Sequence, residues 1–327
     1  MGFALYGRNT QQYASTIKLG NNKKPQVYNM KNQPAETTMK LSTCIDNAAR
    51  QMEAAELVFG HGTDNAWDEA AWLVLYALGQ PVTEEADLDQ LIEPSILPAI
   101  NALIEQRITS RKPAAYLTGT AWFCGLPFHT VEGVIVPRSH IGGFLLEAGS
   151  PWIVPGTVNS ILDLCTGSGC IAVAAALTFP DALVDATDID PLALTLATKN
   201  VAEYELTDRV HLVESDLYQN LSGNYDLILS NPPYVPAGEL AHFPAEYKHE
   251  PAAAFDGGAD GLDLVHKILK HAHSFLSSGG HIVVEVGNSW TTLEDAYPMI
   301  PFNWLETGVE DSGLFIFNQE ELVEYFC

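Results

Sequence analysis

The tetrapeptide Asn231-Pro232-Pro233-Tyr234 carries the most chemical information in the sequence. Two successive prolines restrict the backbone and remove two N–H donors, while their carbonyls remain as acceptors. The Asn231 side-chain oxygen and the Pro232 carbonyl can both face one planar –NH2 group, and Tyr234 can stack on its face. Such a constellation suits methylation of an amide or an aromatic amine. These nitrogens are poor nucleophiles because the lone pair is delocalised. Two acceptors pulling on the N–H bonds favour a lone pair directed out of the plane, toward an electrophilic methyl carbon. The protein supplies orientation and electrostatics, a cofactor supplies the reactive group, and no strong base is needed before transfer.

A place for a nucleoside cofactor lies upstream, in Asp163-Leu164-Cys165-Thr166-Gly167-Ser168-Gly169-Cys170. Gly167 and Gly169 let the backbone turn tightly and approach a ligand, and the helix that follows starts with free N–H groups. Asp188 follows Gly169 by nineteen residues, where a carboxylate can accept from both hydroxyls of a ribose. Residues 167–172 also satisfy the loose G-x-G-x-x-A dinucleotide pattern, so the turn alone leaves the cofactor open. Asp216 either accepts from an exocyclic adenine amine or caps a helix. Other constellations are weaker. His271-x-His273 is poor evidence for a metal, and none is expected. Cys165 and Cys170 read as small packing residues. Trp122, Phe123 and Phe128 read as hairpin core.

The elements around these residues follow from hydrophobic period. Leu41 to about Gly60, Thr63 to Leu78 and Pro94 to Ile108 have helical spacing and form a small bundle. Between Pro113 and Pro137, short β-prone runs (Ala-Tyr-Leu-Thr, Ala-Trp-Phe-Cys, Val-Ile-Val) are cut by glycine and proline, which predicts a β-hairpin. From Ser160 onward strands and helices alternate. Strands are expected at 161–164, 183–187, 210–214, 225–230 and 281–286, with helices at 171–178, 191–204 and 262–276. A closing pair at 304–307 and 314–317 turns at Asp311-Ser312-Gly313. The expected fold is α/β: a Rossmann-like, mostly parallel seven-stranded sheet with an antiparallel edge hairpin. In such sheets ligands bind past the carboxyl ends of the strands, where both motifs fall.

Composition bounds the partners. The 327 residues are 47% hydrophobic and 17% charged, enough apolar content for about two domains. Net charge is -25, and residues 1–40 carry +5, so the other 287 carry -30. An acidic body disfavours direct nucleic-acid binding and anionic membranes and favours a basic protein partner. Residues 1–40 read as a disordered extension. Five cysteines without a Cys-x-x-Cys, no signal-peptide pattern and no spanning apolar run lead us to expect a cytoplasmic protein.

With these motifs in this order and spacing, the sequence resembles the class I S-adenosylmethionine-dependent methyltransferases. It is closer to their HemK/Prm group, which methylates the glutamine side-chain amide in translation proteins. The likeness covers about residues 42–327. Within the group, segments 60–70, 111–129, 136–139 and 249–264 look like the PrmB branch, whose substrate is large-subunit ribosomal protein three. Pro137-Arg138-Ser139-His140-Ile141 replaces the Pro-Arg-Pro-Glu-Thr of the release-factor branch. The resemblance implies that Asp163, Cys165, Thr166, Gly167, Ser168, Gly169, Asp188, Asp216 and Asn231 line the S-adenosylmethionine site. It implies that Asn231, Pro232 and Tyr234 hold the glutamine amide. Its implied division is a helical substrate-recognition domain (41–112), a linking hairpin (113–140) and a methyltransferase domain (141–327). Three positions depart from the pattern: Cys165 stands where many relatives have glycine, and His140 and Gly143 where Pro and Glu are expected. Release factors as substrate are the alternative; a nucleic-acid amino-methyltransferase ranks lower, against the -30 body. A nicotinamide oxidoreductase would leave Asn231–Tyr234 unexplained, and a non-catalytic ribosome-assembly binder would bind without turnover.

Overall fold

A computed structural model describes residues 38–82, 86–154, 156–307 and 312–327. The expected disordered extension (1–40) lies outside these residues up to 37, as does Asp311 of the closing turn.

The N-terminal helices are α1 (Leu41–Ala54), α2 (Ala66–Ala77) and α3 (Leu97–Ser110). Asn65 caps α2 by accepting from the Asp68 N–H at 2.9 Å. α1 ends at Ala54, short of the expected Gly60, because Glu56 turns left-handed at φ +52°. Leu41, Ile45, Met52, Trp72, Leu75, Ile100 and Ile104 are buried together in this bundle. Two short strands, β1 (Met39–Lys40) and β2 (Leu91–Ile92), pair antiparallel at its edge.

The segment read as a hairpin is only partly one. Ala114–Thr118 forms a short helix, α4, rather than a strand. The Thr118 hydroxyl donates to the Ala114 carbonyl at 2.9 Å, and Gly119 stops the helix at φ +72°. The hairpin proper is β3 (Thr120–Phe123) with β4 (Leu126–His129). Ala121 packs in the helical core, whereas Phe123 and Phe128 pack in the core of the larger sheet. Residues 134–137 form no strand; they run along the wall of the cavity described below, and the Val134 carbonyl and the Val136 N–H are bound by the side chains of Tyr116 and Glu250.

A short helix, α5 (Ile141–Leu146), leads into the sheet. β5 (Ser160–Leu164), β6 (Leu183–Asp188), β7 (Val210–Glu214), β8 (Tyr225–Ser230) and β9 (Leu276–Glu285) are mutually parallel. β11 (Leu314–Asn318) adds antiparallel to β9 and β10 (Asn303–Trp304) antiparallel to β11, giving the order β10-β11-β9-β8-β5-β6-β7. Helices α6 (Cys170–Thr178), α7 (Pro191–Glu203), α8 (Ala237–Leu240), α9 (Asp263–Ala272), α10 (Trp290–Ala296) and α11 (Gln319–Phe326) complete the chain. This is the expected α/β architecture. Its buried strands are near-continuous apolar runs, as parallel sheets covered on both faces require.

Candidate active site

Strand order reverses between β5 and β8, where a crevice opens beyond the strand ends. Register decides who meets there. Leu164 pairs with Thr187 on one side and with Ser230 on the other, and Ser230 pairs with Val284. The next residue on each strand is Cys165, Asp188, Asn231 and Glu285. All four line a cavity of roughly 1720 Å³ that also reaches Gly60–Asp64 of the helical part.

On one side lies the glycine turn. Cys165, Gly167 and Gly169 are left-handed at φ +61°, +55° and +80°, so the backbone doubles back at once. Asp163 is buried beneath the turn, where it accepts from the Thr166 hydroxyl at 2.5 Å and the Ala172 N–H at 3.1 Å. Burial pushes this carboxyl up to about 7 despite those donors. Asp163 and Gly169, both expected as cofactor contacts, are not among the cavity-lining residues. Asp163 braces the turn from below, and a Cβ on Gly169 would sit 3.0 Å from Ala197 Cβ. Cys165, Thr166, Gly167, Ser168, Asp188 and Asp216 do line the cavity. Asp188 accepts from the Gly167 N–H at 2.8 Å and the Asp190 N–H at 2.9 Å, one on each oxygen. Each oxygen keeps a further lone pair for an incoming hydroxyl. Asp216 is exposed and accepts from the Gln219 amide at 3.0 Å. Thr187 Oγ1 is buried, unpartnered and in a cavity-lining residue. Carboxylate acceptors, an orphaned hydroxyl and a close-approach backbone turn fit a nucleoside cofactor such as S-adenosylmethionine. Burial raises the Cys165 thiol, which stays neutral and unreactive.

On the other side lies the tetrapeptide. The Asn231 side-chain N–H donates to the Arg138 carbonyl at 3.2 Å, so Oδ1 is the atom left to accept. Pro232 is buried, and the Tyr234 carbonyl accepts from the Ser289 hydroxyl at 2.7 Å. The Tyr234 ring lies against Gly287, whose φ is +45°. Asn231, Pro232 and Tyr234 thus line the same cavity as the glycine turn, with the Asn231 side-chain oxygen left as an acceptor.

Sequence reading missed three contributors. Glu285 stands fully buried at the end of β9, accepting from the Ser139 hydroxyl at 2.5 Å and the His140 N–H at 2.9 Å. Burial pushes it up to about 7, while Ser139 and His140 pull it down. Gly287 seats the Tyr234 ring. Glu250 binds Arg138. The only advance signals were a lone Glu ending an apolar strand and the Gly that follows it; neither spacing nor composition ties them to residue 231. Gly143, a position where the resemblance expects Glu, lines the cavity with open space beyond its Cα.

The chain is similar to known methyltransferases. The methyltransferase small domain family matches residues 150–244, which span β5 to β8. The ribosomal protein uL3 glutamine methyltransferase of Bordetella pertussis is 44% identical over 90% of this chain and 99% of its own length. Its namesake from Burkholderia pseudomallei is 45% identical over 85% of this chain and 94% of its own. That from Neisseria meningitidis serogroup B is 44% identical over 91% and 99%. With Asn231–Tyr234 and the glycine turn meeting in one cavity, and with this identity along nearly the full length of each relative, the chain belongs to the ribosomal protein uL3 glutamine methyltransferase family.

Proposed function

We propose that this protein transfers a methyl group from S-adenosylmethionine to the side-chain amide nitrogen of a glutamine in ribosomal protein uL3. One observation carries the chemistry: Asn231 spends its N–H on the Arg138 carbonyl and keeps Oδ1, beside the Pro232 carbonyl, for a substrate –NH2. When bound, the cofactor supplies an electrophilic methyl group. Thr166, Gly167, Ser168, Asp188 and Asp216 hold it, with Asp163 and Gly169 shaping the turn behind them. Asn231 Oδ1 and the Pro232 carbonyl accept the two amide N–H bonds, and Tyr234 stacks on the amide plane. Binding the amide in this way orients its lone pair without a base.

The names of the relatives favour uL3 over release factors. A basic protein matches the -30 carried by residues 41–327 and nucleic acid does not. The helical part, 41–112, serves as the recognition domain, and residues 141–327 carry the reaction. Among the described residues no helix is long and apolar enough to cross a membrane, and a ribosomal substrate supports a cytoplasmic site of action. The test is mass analysis of uL3 from cells lacking the enzyme, incubated with methyl-labelled donor. One methyl on glutamine is expected; an unlabelled uL3 alongside a labelled release factor would move the substrate to the other branch.

A further inference from the structure

We infer that Arg138 is a positioning residue for the methyl acceptor: its carbonyl, clamped between two buried carboxylates, turns the Asn231 amide so that Oδ1 faces the cavity. The inference rests on the reading of Asn231 given above. The peptide that carries this carbonyl joins Arg138 to Ser139, and each side chain is tied to a different glutamate. The Arg138 guanidinium binds Glu250 in a bidentate pair, with both N···O distances 2.7 Å. The Ser139 hydroxyl binds Glu285 at 2.5 Å, and the next residue, His140, adds its N–H to the same oxygen at 2.9 Å. Both residues that flank the peptide are thus anchored inside the protein by charged or short hydrogen bonds.

The guanidinium is held on its faces as well. The rings of Tyr247 and Phe255 each lie 5.7 Å from its carbon. Glu250 also takes the Val136 N–H at 2.8 Å and meets His61 Nε2 at 3.1 Å. Burial pushes the His61 imidazole down, toward the neutral ring. Its Nδ1 is buried without a partner, so the single proton sits on Nε2 and donates to Glu250. His61 lies between α1 and α2, so the clamp runs from the helical part to Asn231. A fixed acceptor carbonyl leaves the Asn231 amide one favourable orientation, because the flipped amide would set oxygen against oxygen.

Asn231→Asp tests this. A carboxylate accepts from a substrate amide as well as Asn231 does, but it cannot donate to the Arg138 carbonyl. We expect kcat to fall about 10²-fold near pH 8, the effect of misplacing a catalytic group by about 1 Å. Activity should return as the pH falls toward about 5.5 and the introduced carboxyl regains a proton to donate. Arg138, Glu250, Glu285, His140, Tyr234 and Tyr247 surround the site, so the profile is read as a ratio to the parent protein. Glu250→Gln should lower kcat per S-adenosylhomocysteine-binding site with little change in that affinity; a purely structural role would lower the number of binding sites instead. Full kcat in Asn231→Asp near pH 8, together with a flat ratio across pH, overturns the clamp. Asn231→Ala separates the two ideas. If it retains turnover, the reading of Asn231 itself fails; if it is inactive while Asn231→Asp is fully active, only the positioning role fails.

Discussion

Replacing Gly287 with alanine would set a methyl group 2.6 Å from Tyr234 Cε2, 2.9 Å from Cζ and 3.1 Å from the hydroxyl oxygen. Carbon atoms in good contact lie about 3.5–4.0 Å apart, so the ring must withdraw by about 1 Å. The backbone of residue 287 cannot move instead, because Gly313 packs against it so closely that a Cβ there would strike the Gly287 carbonyl. The Tyr234 main chain is also held, through its carbonyl, by Ser289. If Tyr234 stacks on the substrate amide, a displacement of about 1 Å should cost about 10²-fold in kcat, or about 2.7 kcal/mol of transition-state stabilisation. The left-handed φ of +45° adds about 1 kcal/mol of destabilisation from the alanine alone. Single-turnover methyl transfer to uL3 at saturating donor measures the first effect, and denaturant unfolding the second. Affinity for S-adenosylhomocysteine, measured by calorimetry, should be unchanged, since the glycine turn is on the other side of the cavity. A folded variant with parental kcat would show that the ring's position does not matter to transfer.

Three further outcomes follow from separate parts of the molecule. Asn200 on α7 accepts from the His129 N–H at 2.8 Å and donates to the His129 and Ser168 carbonyls at 3.2 and 2.8 Å. Asn200→Ala strands buried backbone groups and should cost about 2–3 kcal/mol in unfolding, with weakened S-adenosylhomocysteine binding because Ser168 belongs to the turn. An equally stable variant would contradict this. Burial raises Glu285 from 4.5 to about 7, so between these values the folded state holds a proton that the unfolded chain has released. Its contribution to stability is full below about pH 4.5 and is lost as pH rises through about 7. Glu285→Gln should therefore gain on the order of 3 kcal/mol relative to the parent between pH 4.5 and pH 8; parallel unfolding curves would contradict it. Finally, with -30 on residues 41–327 and a basic substrate, kcat/KM for uL3 should fall with added salt while kcat stays constant. A salt-independent kcat/KM removes electrostatic steering.

Local signals were legible in the chain because they act over a few residues. The alternation of apolar runs after Ser160 specified the parallel sheet, and proline and glycine marked both functional turns. Asn231, Pro232, Tyr234, Asp188 and residues 165–168 do meet in one cavity, because each stands at a strand end or within four residues past it and parallel register aligns strand ends. Where local readings missed, tertiary context outweighed propensity. Ala-Tyr-Leu-Thr looks β-prone, yet Ala114 and Ala115 are buried in the helical core as one turn of helix closed by Gly119. Asp163 sits in the motif but turns inward, since the Thr166 hydroxyl of the turn and the Ala172 N–H of the helix after it both donate to it there.

The class of fold, the glycine turn and the Asn-Pro-Pro-Tyr tetrapeptide could be read from the chain, since all of them are set by neighbouring residues. Which atom of Asn231 is left free to accept depends on the fold, because the partner of its N–H, Arg138, is 93 residues away. The same holds for Arg138 itself, whose charge is fixed by Glu250 at 112 residues, and for Glu250, whose other partner His61 lies 189 residues from it. Contacts of that span have no periodicity to betray them. They exist only once a buried charge must find its counterion, and the fold determines which one lies within reach.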